Sequence, residues 1–175
     1  LFQNTAFPEW LKNTLIVSVV STVVSLACSI LIGYALARLR FPGSNFLGVW
    51  IFLAYLVPPT LLFLPLSQVI AKLNLYNTYW ALILTYPTQL IPFASWLLMG
   101  YFRTIPKEIE ECAMADGCTR MQALVKIILP LSIPGLLSAG IFCFTLCWNE
   151  FLYALIFMST FAFVKRREPR TIFFS

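Results

Sequence analysis

Glu110-Glu111-Cys112-Ala113-Met114-Ala115-Asp116-Gly117, followed downstream by Ile127-Ile128-Leu129-Pro130, is the stretch that decides how this chain is read. It is a charged, glycine-punctuated island between long apolar runs. Residues 13–37, 41–71, 73–102 and 127–149 contain no Asp, Glu, Lys or Arg. Each window exceeds the roughly 20 residues that cross about 30 Å of hydrocarbon. With 60% hydrophobic and 11% charged residues and a mean hydropathy of +0.85, the chain falls in the membrane class. A membrane protein that gathers its polar residues into one structured loop places that loop to touch a soluble partner.

Working outward, the windows predict an all-α, polytopic membrane helix bundle with spans at about 14–37, 46–71, 79–101 and 127–147. Phe41-Pro42-Gly43-Ser44-Asn45 reads as a tight turn between the first two. Pro58, Pro59 and Pro65 break the second span, and Pro87 and Pro92 the third. Such prolines are tolerated where neighbouring helices or a polar cavity satisfy the freed carbonyls. Arg38, Arg40, Arg103, Lys107, Arg120 and Lys126 lie in loops on one side, against Lys12 and Lys72 on the other, which puts loops 38–45 and 102–126 in the cytoplasm. The tail opposes this, because a fourth span exiting outward would carry Lys165–Arg170 outside. The apolar piece 151–164 could turn back, but its 14 residues are short for a crossing. The chain opens at Leu1 without a signal peptide and reads as a piece of a longer protein.

The same composition excludes several function classes. The net charge of +5 comes from Lys and Arg at the ends of apolar windows, which is an orientation signal and not a nucleic-acid patch. Lys165-Arg166-Arg167 is the one basic cluster and reads as a juxtamembrane anchor. The five cysteines, with no histidine, form neither a C-x-x-C nor a metal-ligand cluster, and no nucleophile–base set is present. No G-x-x-x-x-G-K occurs, so no ATP or other cofactor is expected to bind this chain.

The island itself, 104–128, reads as two short helices joined by glycine. Thr104 is placed to cap the first, with Pro106 in its first turn. Glu108, Glu110 and Glu111 follow where the helix dipole favours acid. Gly117 supplies the left-handed residue that ends this helix, and Thr119-x-x-Gln122 is a capping box that opens the next. Ile105, Ile109 and Cys112/Ala113 share a helical face. Pro130 then breaks or kinks the entry to the fourth span.

This pattern resembles the cytoplasmic loop of ABC-importer permeases: E-A-A, three residues, G, nine residues, then I-x-L-P. Here it is Glu111-Cys112-Ala113, Met114-Ala115-Asp116, Gly117, the nine residues Cys118–Lys126, and Ile127, Leu129 and Pro130, with Cys112 replacing Ala. The resemblance implies the type I transmembrane domain of these importers and a cytoplasmic coupling loop. In that family the first short helix docks in a groove of a separate ATPase, and closure of two ATPases switches the membrane pathway. Carried onto this chain, the ATPase-coupling residues are Glu110, Glu111, Cys112, Ala113, Asp116, Gly117, Leu129 and Pro130. ATP and Mg would sit on the ATPase.

Trp148-Asn149-Glu150-Phe151-Leu152-Tyr153 is the second feature. Glu150 is the one acid within 127–164, and an ionisable residue there points to a functional site. An aromatic face beside amide and carboxylate groups suits a sugar; an interfacial aromatic anchor with a structural Asn/Glu pair is the plainer alternative. The block resembles permeases of the carbohydrate-uptake, maltose-type branch. Asn13-Thr14, the run Tyr34–Gly43 and Pro106 agree with that branch. Trp148, Asn149, Glu150 and Tyr153 are then the candidate substrate path. The resemblance implies a multi-pass subunit of a bacterial inner membrane. Its expected partners are a second related permease, two ATP-binding subunits, an extracytoplasmic solute-binding protein and a sugar. A non-sugar solute and a truncated, non-transporting remnant are the alternatives. Members of this branch usually have six spans, so one at each end is expected to be missing, and Phe161–Ser175 does not match the expected outer loop and last helix.

Overall fold

The computed structural model describes residues 7–39, 43–150, 152–154 and 157. The tail 161–175, and most of the apolar piece 151–164, lie outside the described residues. All regular structure among the described residues is helical.

The first helix, α1 (Phe7–Arg38), carries no charge between Lys12 and Arg38, and its sides are sorted in reverse of a soluble helix. Leu15, Ile16, Val19, Val20, Val23, Val24 and Leu31 face outward, while Ser18, Ser21, Thr22, Ser25 and Ser29 are buried. Hydrocarbon outside gives no hydrophobic drive to bury leucine, so close packing of small residues decides which face goes in. Ser25, Ser29 and Gly33, four residues apart, form such a face. A Cβ on Gly33 would lie 3.1 Å from the Met99 backbone nitrogen and 3.2 Å from the Ser95 carbonyl oxygen. Glycine there lets α1 lie against the backbone of the helix that contains Ser95 and Met99.

The second apolar window forms two helices, α2 (Ser44–Tyr55) and α3 (Pro59–Lys72), bent by 89°. Consecutive Pro58 and Pro59 explain the bend, since neither donates a backbone hydrogen bond and each restricts the residue before it. Pro65, expected to break this window, lies inside α3 without ending it, and the prolines of the third window behave in the same way. Pro87 opens α5 (Pro87–Thr104) directly after α4 (Tyr79–Thr85), and Pro92 is absorbed inside it, so Tyr79–Thr104 forms one 26-residue helix long and apolar enough to cross a membrane. Asn74 and Asn77, at φ 53° and 63°, turn the chain between α3 and α4. Asparagine is one of the few residues that tolerates this left-handed backbone.

The island forms α6 (Lys107–Ala115) and α7 (Arg120–Ala123). A widened π turn (Leu124–Ile128) and the short α8 (Leu129–Leu131) follow, then α9 (Ile133–Asn149). The membrane helix expected to start near Ile127 starts at Ile133, after a 79° bend between Arg120–Leu131 and Ile133–Asn149. Pro130 alone does not make this bend. Its ring would collide with the carbonyl four residues back in a regular turn, and the π turn just before it opens the helix enough to admit it. The direction changes at Ser132, whose hydroxyl donates to the Ile128 carbonyl at 2.6 Å. Such back-bonding competes with the helix and bends it.

Two apolar clusters hold the bundle together. One joins Val17, Tyr86, Leu90, Ala94, Cys143, Cys147, Tyr153 and Phe157. The other joins Tyr34, Leu98, Phe102, Ile105 and Ala139 to Leu124 and Ile128 of the π turn. The island is thereby packed on the membrane helices along one edge.

Candidate functional site: the exposed elbow and its buried fastening

Each end of the island is set by local chemistry. Thr104 does not cap α6: its hydroxyl donates back to the Tyr101 carbonyl at 2.7 Å, closing α5. Pro106, with extended backbone, occupies the cap position and makes no side-chain cap. At the other end Gly117, at φ 91°, carries the chain out of the helix. Its N–H donates to Met114 O at 3.1 Å and that of Cys118 to Ala113 O at 3.0 Å. These two bonds form a Schellman motif, which satisfies the last carbonyls of α6. Thr119 and Gln122 then close the capping box of α7 with bonds of 2.8 and 3.3 Å. Helix end and helix start abut, so the elbow is held by backbone hydrogen bonds before Thr119 and by side-chain-to-backbone bonds after it.

The faces of α6 differ from the periodicity expectation. Ile109 and Cys112 are exposed, while Glu110 and Ala113 are buried with Ile105. Glu111, Cys112, Asp116 and Gly117 form the outward side. Leu129 is half-buried and Pro130 exposed, at the bend and away from this side. A cleft of about 420 Å³ has a charged lining of Arg38, Lys107, Glu110, Glu111 and Arg120, so residues of both sides of α6 border it.

Glu110 is turned inward by a partner that sequence reasoning missed. Its carboxylate pairs with Arg38, Nε to Oε2 3.3 Å, with the two side chains 2% and 6% exposed. The Tyr34 hydroxyl donates to the other carboxylate oxygen. Arg38 Nη2 also donates to the Ile105 carbonyl at 2.9 Å, on the link between α5 and α6. Tyr34 and Arg38 are four residues apart and so share one face of α1. Read alone, Arg38 at a span end is an orientation marker; the four-residue spacing from a tyrosine was the available signal.

The second candidate cluster is held by local bonds at Asn149 and Glu150 and by long-range bonds at Tyr153. Asn149 Nδ2 donates to Thr145 O at 2.9 Å, and Glu150 Oε2 accepts the Tyr153 N–H at 2.9 Å. Tyr153 is fully buried; its hydroxyl accepts from Gln89 Nε2 at 3.1 Å and donates to Pro59 O at 2.9 Å. Trp148 is 39% exposed, its ring stacked on Phe144 at 5.6 Å. Gln89, in the first turn of α5, is the cluster member that sequence reasoning did not single out.

Residues 29–167 match the family described as the inner membrane component of binding-protein-dependent transport systems. The chain belongs to that family. The match runs past Phe161 into the tail, where the sequence resemblance was expected to stop. This ABC permease chain is 43% identical over 162 residues to the inner membrane ABC transporter permease protein YcjP of Escherichia coli, covering 91% of the chain and 58% of that protein. It is 37% identical over 151 residues to the trehalose/maltose transport system permease protein MalG of Thermococcus litoralis, covering 86% and 54%. A crystal structure of a bacterial ABC transporter involved in the import of the acidic polysaccharide alginate superposes with a TM-score of 0.77 over 94% of this chain and 60% of that one, at 22% identity. That likeness concerns the fold. The chain spans just over half the length of the curated relatives it matches.

Proposed function

We propose that this ABC permease chain is part of a membrane-spanning subunit of an ATP-driven, binding-protein-dependent sugar importer. In this reading it works with a second related permease, two ATPase subunits that hold ATP and Mg, and an extracytoplasmic solute-binding protein. The observation that carries it is the elbow: a short helix closed by a Schellman motif and followed at once by a capping box, with Glu111, Cys112, Asp116 and Gly117 turned outward and Glu110 turned in. A rigid, polar, small-residue surface on the side of the bundle where α1 ends suits docking in a groove of a soluble ATPase. The sugar class rests on relatives named for trehalose, maltose and diacetylchitobiose uptake.

Within the candidate path, Trp148 is the residue that can offer an aromatic face to sugar C–H groups. Asn149, Glu150 and Tyr153 shape the corner behind it. The whole complex in liposomes, assayed for ATP hydrolysis across a panel of solutes, tests the proposal. Stimulation by a mono- or oligosaccharide supports it; stimulation by a non-sugar alone overturns the substrate class, and no stimulation with no co-purifying ATPase overturns the assembly.

A further inference from the structure

We propose that Tyr34, Arg38 and Glu110 fasten α6 to α1, so that the two helices move as one body when a partner pushes on the elbow. This rests on the reading of α6 as the docking helix. The residues lie far apart in sequence, and the contact joins a membrane span to the surface loop directly. One carboxylate oxygen of Glu110 accepts the Tyr34 hydroxyl, and the other lies 3.3 Å from Arg38 Nε as an ion pair without hydrogen-bond geometry. Glu110 is therefore engaged by α1 within the chain, at a cleft that it lines together with Arg38. Arg38 also grips the Ile105 carbonyl at 2.9 Å, so one guanidinium holds both α6 and the link that leads into it.

An ion pair is a poor way to gain stability in a buried site, because desolvating two charges offsets most of their attraction. What it supplies is a fixed register. Other than Glu110, Ala113 is the buried residue of α6, and a methyl group alone does not fix how the helix is rotated or where along its axis it sits. The fastening continues into the bundle, since α1 is itself pressed on α5 at Gly33, close to backbone atoms of Ser95 and Met99. Tyr34 and Arg38 are positioning residues: through their contacts with Glu110 and the Ile105 carbonyl they set where the elbow stands relative to the spans.

The test uses the whole complex in liposomes and reads solute carried per ATP hydrolysed. Glu110→Gln leaves Arg38 facing an uncharged amide, and the ratio should fall by roughly tenfold or more. The exchange Arg38→Glu with Glu110→Arg should recover part of it. An unchanged ratio in assembled Glu110→Gln complex overturns the proposal. Should that variant fail to assemble, Tyr34→Phe carries the test: it keeps the ion pair, and a smaller fall in the same ratio is expected, while no fall overturns the proposal.

A second readout needs no partner. Spin labels at Leu31 and Glu108, in a chain whose five native cysteines are replaced, should give one narrow distance that broadens in Glu110→Gln. An equally narrow distance in both overturns the fastening even if transport is never reconstituted. Absence of ATPase binding by the native chain would instead sink the docking reading alone.

Discussion

Gly117 gives the most direct test of how the elbow works. Its φ is 91°, and a Cβ placed on it would meet nothing within 4 Å. Any penalty for a side chain here is therefore backbone strain and not crowding within the chain. For an ordinary L-residue the left-handed conformation costs roughly 1–2 kcal/mol. That is a factor of about 5 to 30 in the population of the correctly bent elbow. Asparagine, which visits this region more readily, should lose less than alanine despite its larger side chain. Valine should lose most, because β-branched residues at positive φ are rare outliers. Solute uptake by the reconstituted complex with Gly, Asn, Ala and Val at 117 should fall in that order, with membrane insertion unchanged. The order Gly, Ala, Asn, Val would point to crowding against a partner. Equal uptake by the valine variant would refute the idea that the left-handed turn sets the elbow.

Three further outcomes are expected. Gly135→Ala would set a Cβ 2.6 Å from the Tyr101 ring, so the purified protein in detergent should lose about 1–3 kcal/mol of stability, with Tyr101→Leu in the same chain restoring part of it. Thr119→Ala removes the hydroxyl that accepts the Gln122 N–H, and hydrogen exchange of the α7 amides should rise by an amount equal to about 1 kcal/mol while exchange in α9 is unchanged. Tyr153→Phe deletes a hydroxyl that links Gln89 of α5 to Pro59 at the start of α3, and thermal unfolding should report a loss of about 1 kcal/mol for each bond.

Much of this molecule was legible in the residue order, because the controlling physics is local. Charge-free windows report the hydrocarbon thickness residue by residue, and the capping box at Thr119 and the left-handed turn at Gly117 are properties of a few consecutive residues. Composition and the spacing from Glu111 to Pro130 thus carried the all-helical membrane class and the family. Where tertiary packing competes with a local rule, the order of residues was not enough. Thr104 satisfies a carbonyl of the preceding helix instead of capping the next. The consecutive Pro58 and Pro59 stand at the sharp bend between α2 and α3, yet Pro65 and Pro92 are absorbed within α3 and α5.

The face of α6 was decided by α1. On apolar spacing alone Ile109 and Cys112 would turn inward; instead a charged residue does, because Arg38 and Tyr34 wait there at the end of a helix more than 70 residues earlier in the chain. An acid is buried only where a cation and a hydrogen-bond donor meet it. No window of sequence around Glu110 contains that information, since the meeting is made by the packing of α1 against α5. Sequence alone thus determined that the chain spans a membrane and presents a structured elbow. Tertiary structure alone decided which side of that elbow is spent on the chain itself and which side faces outward.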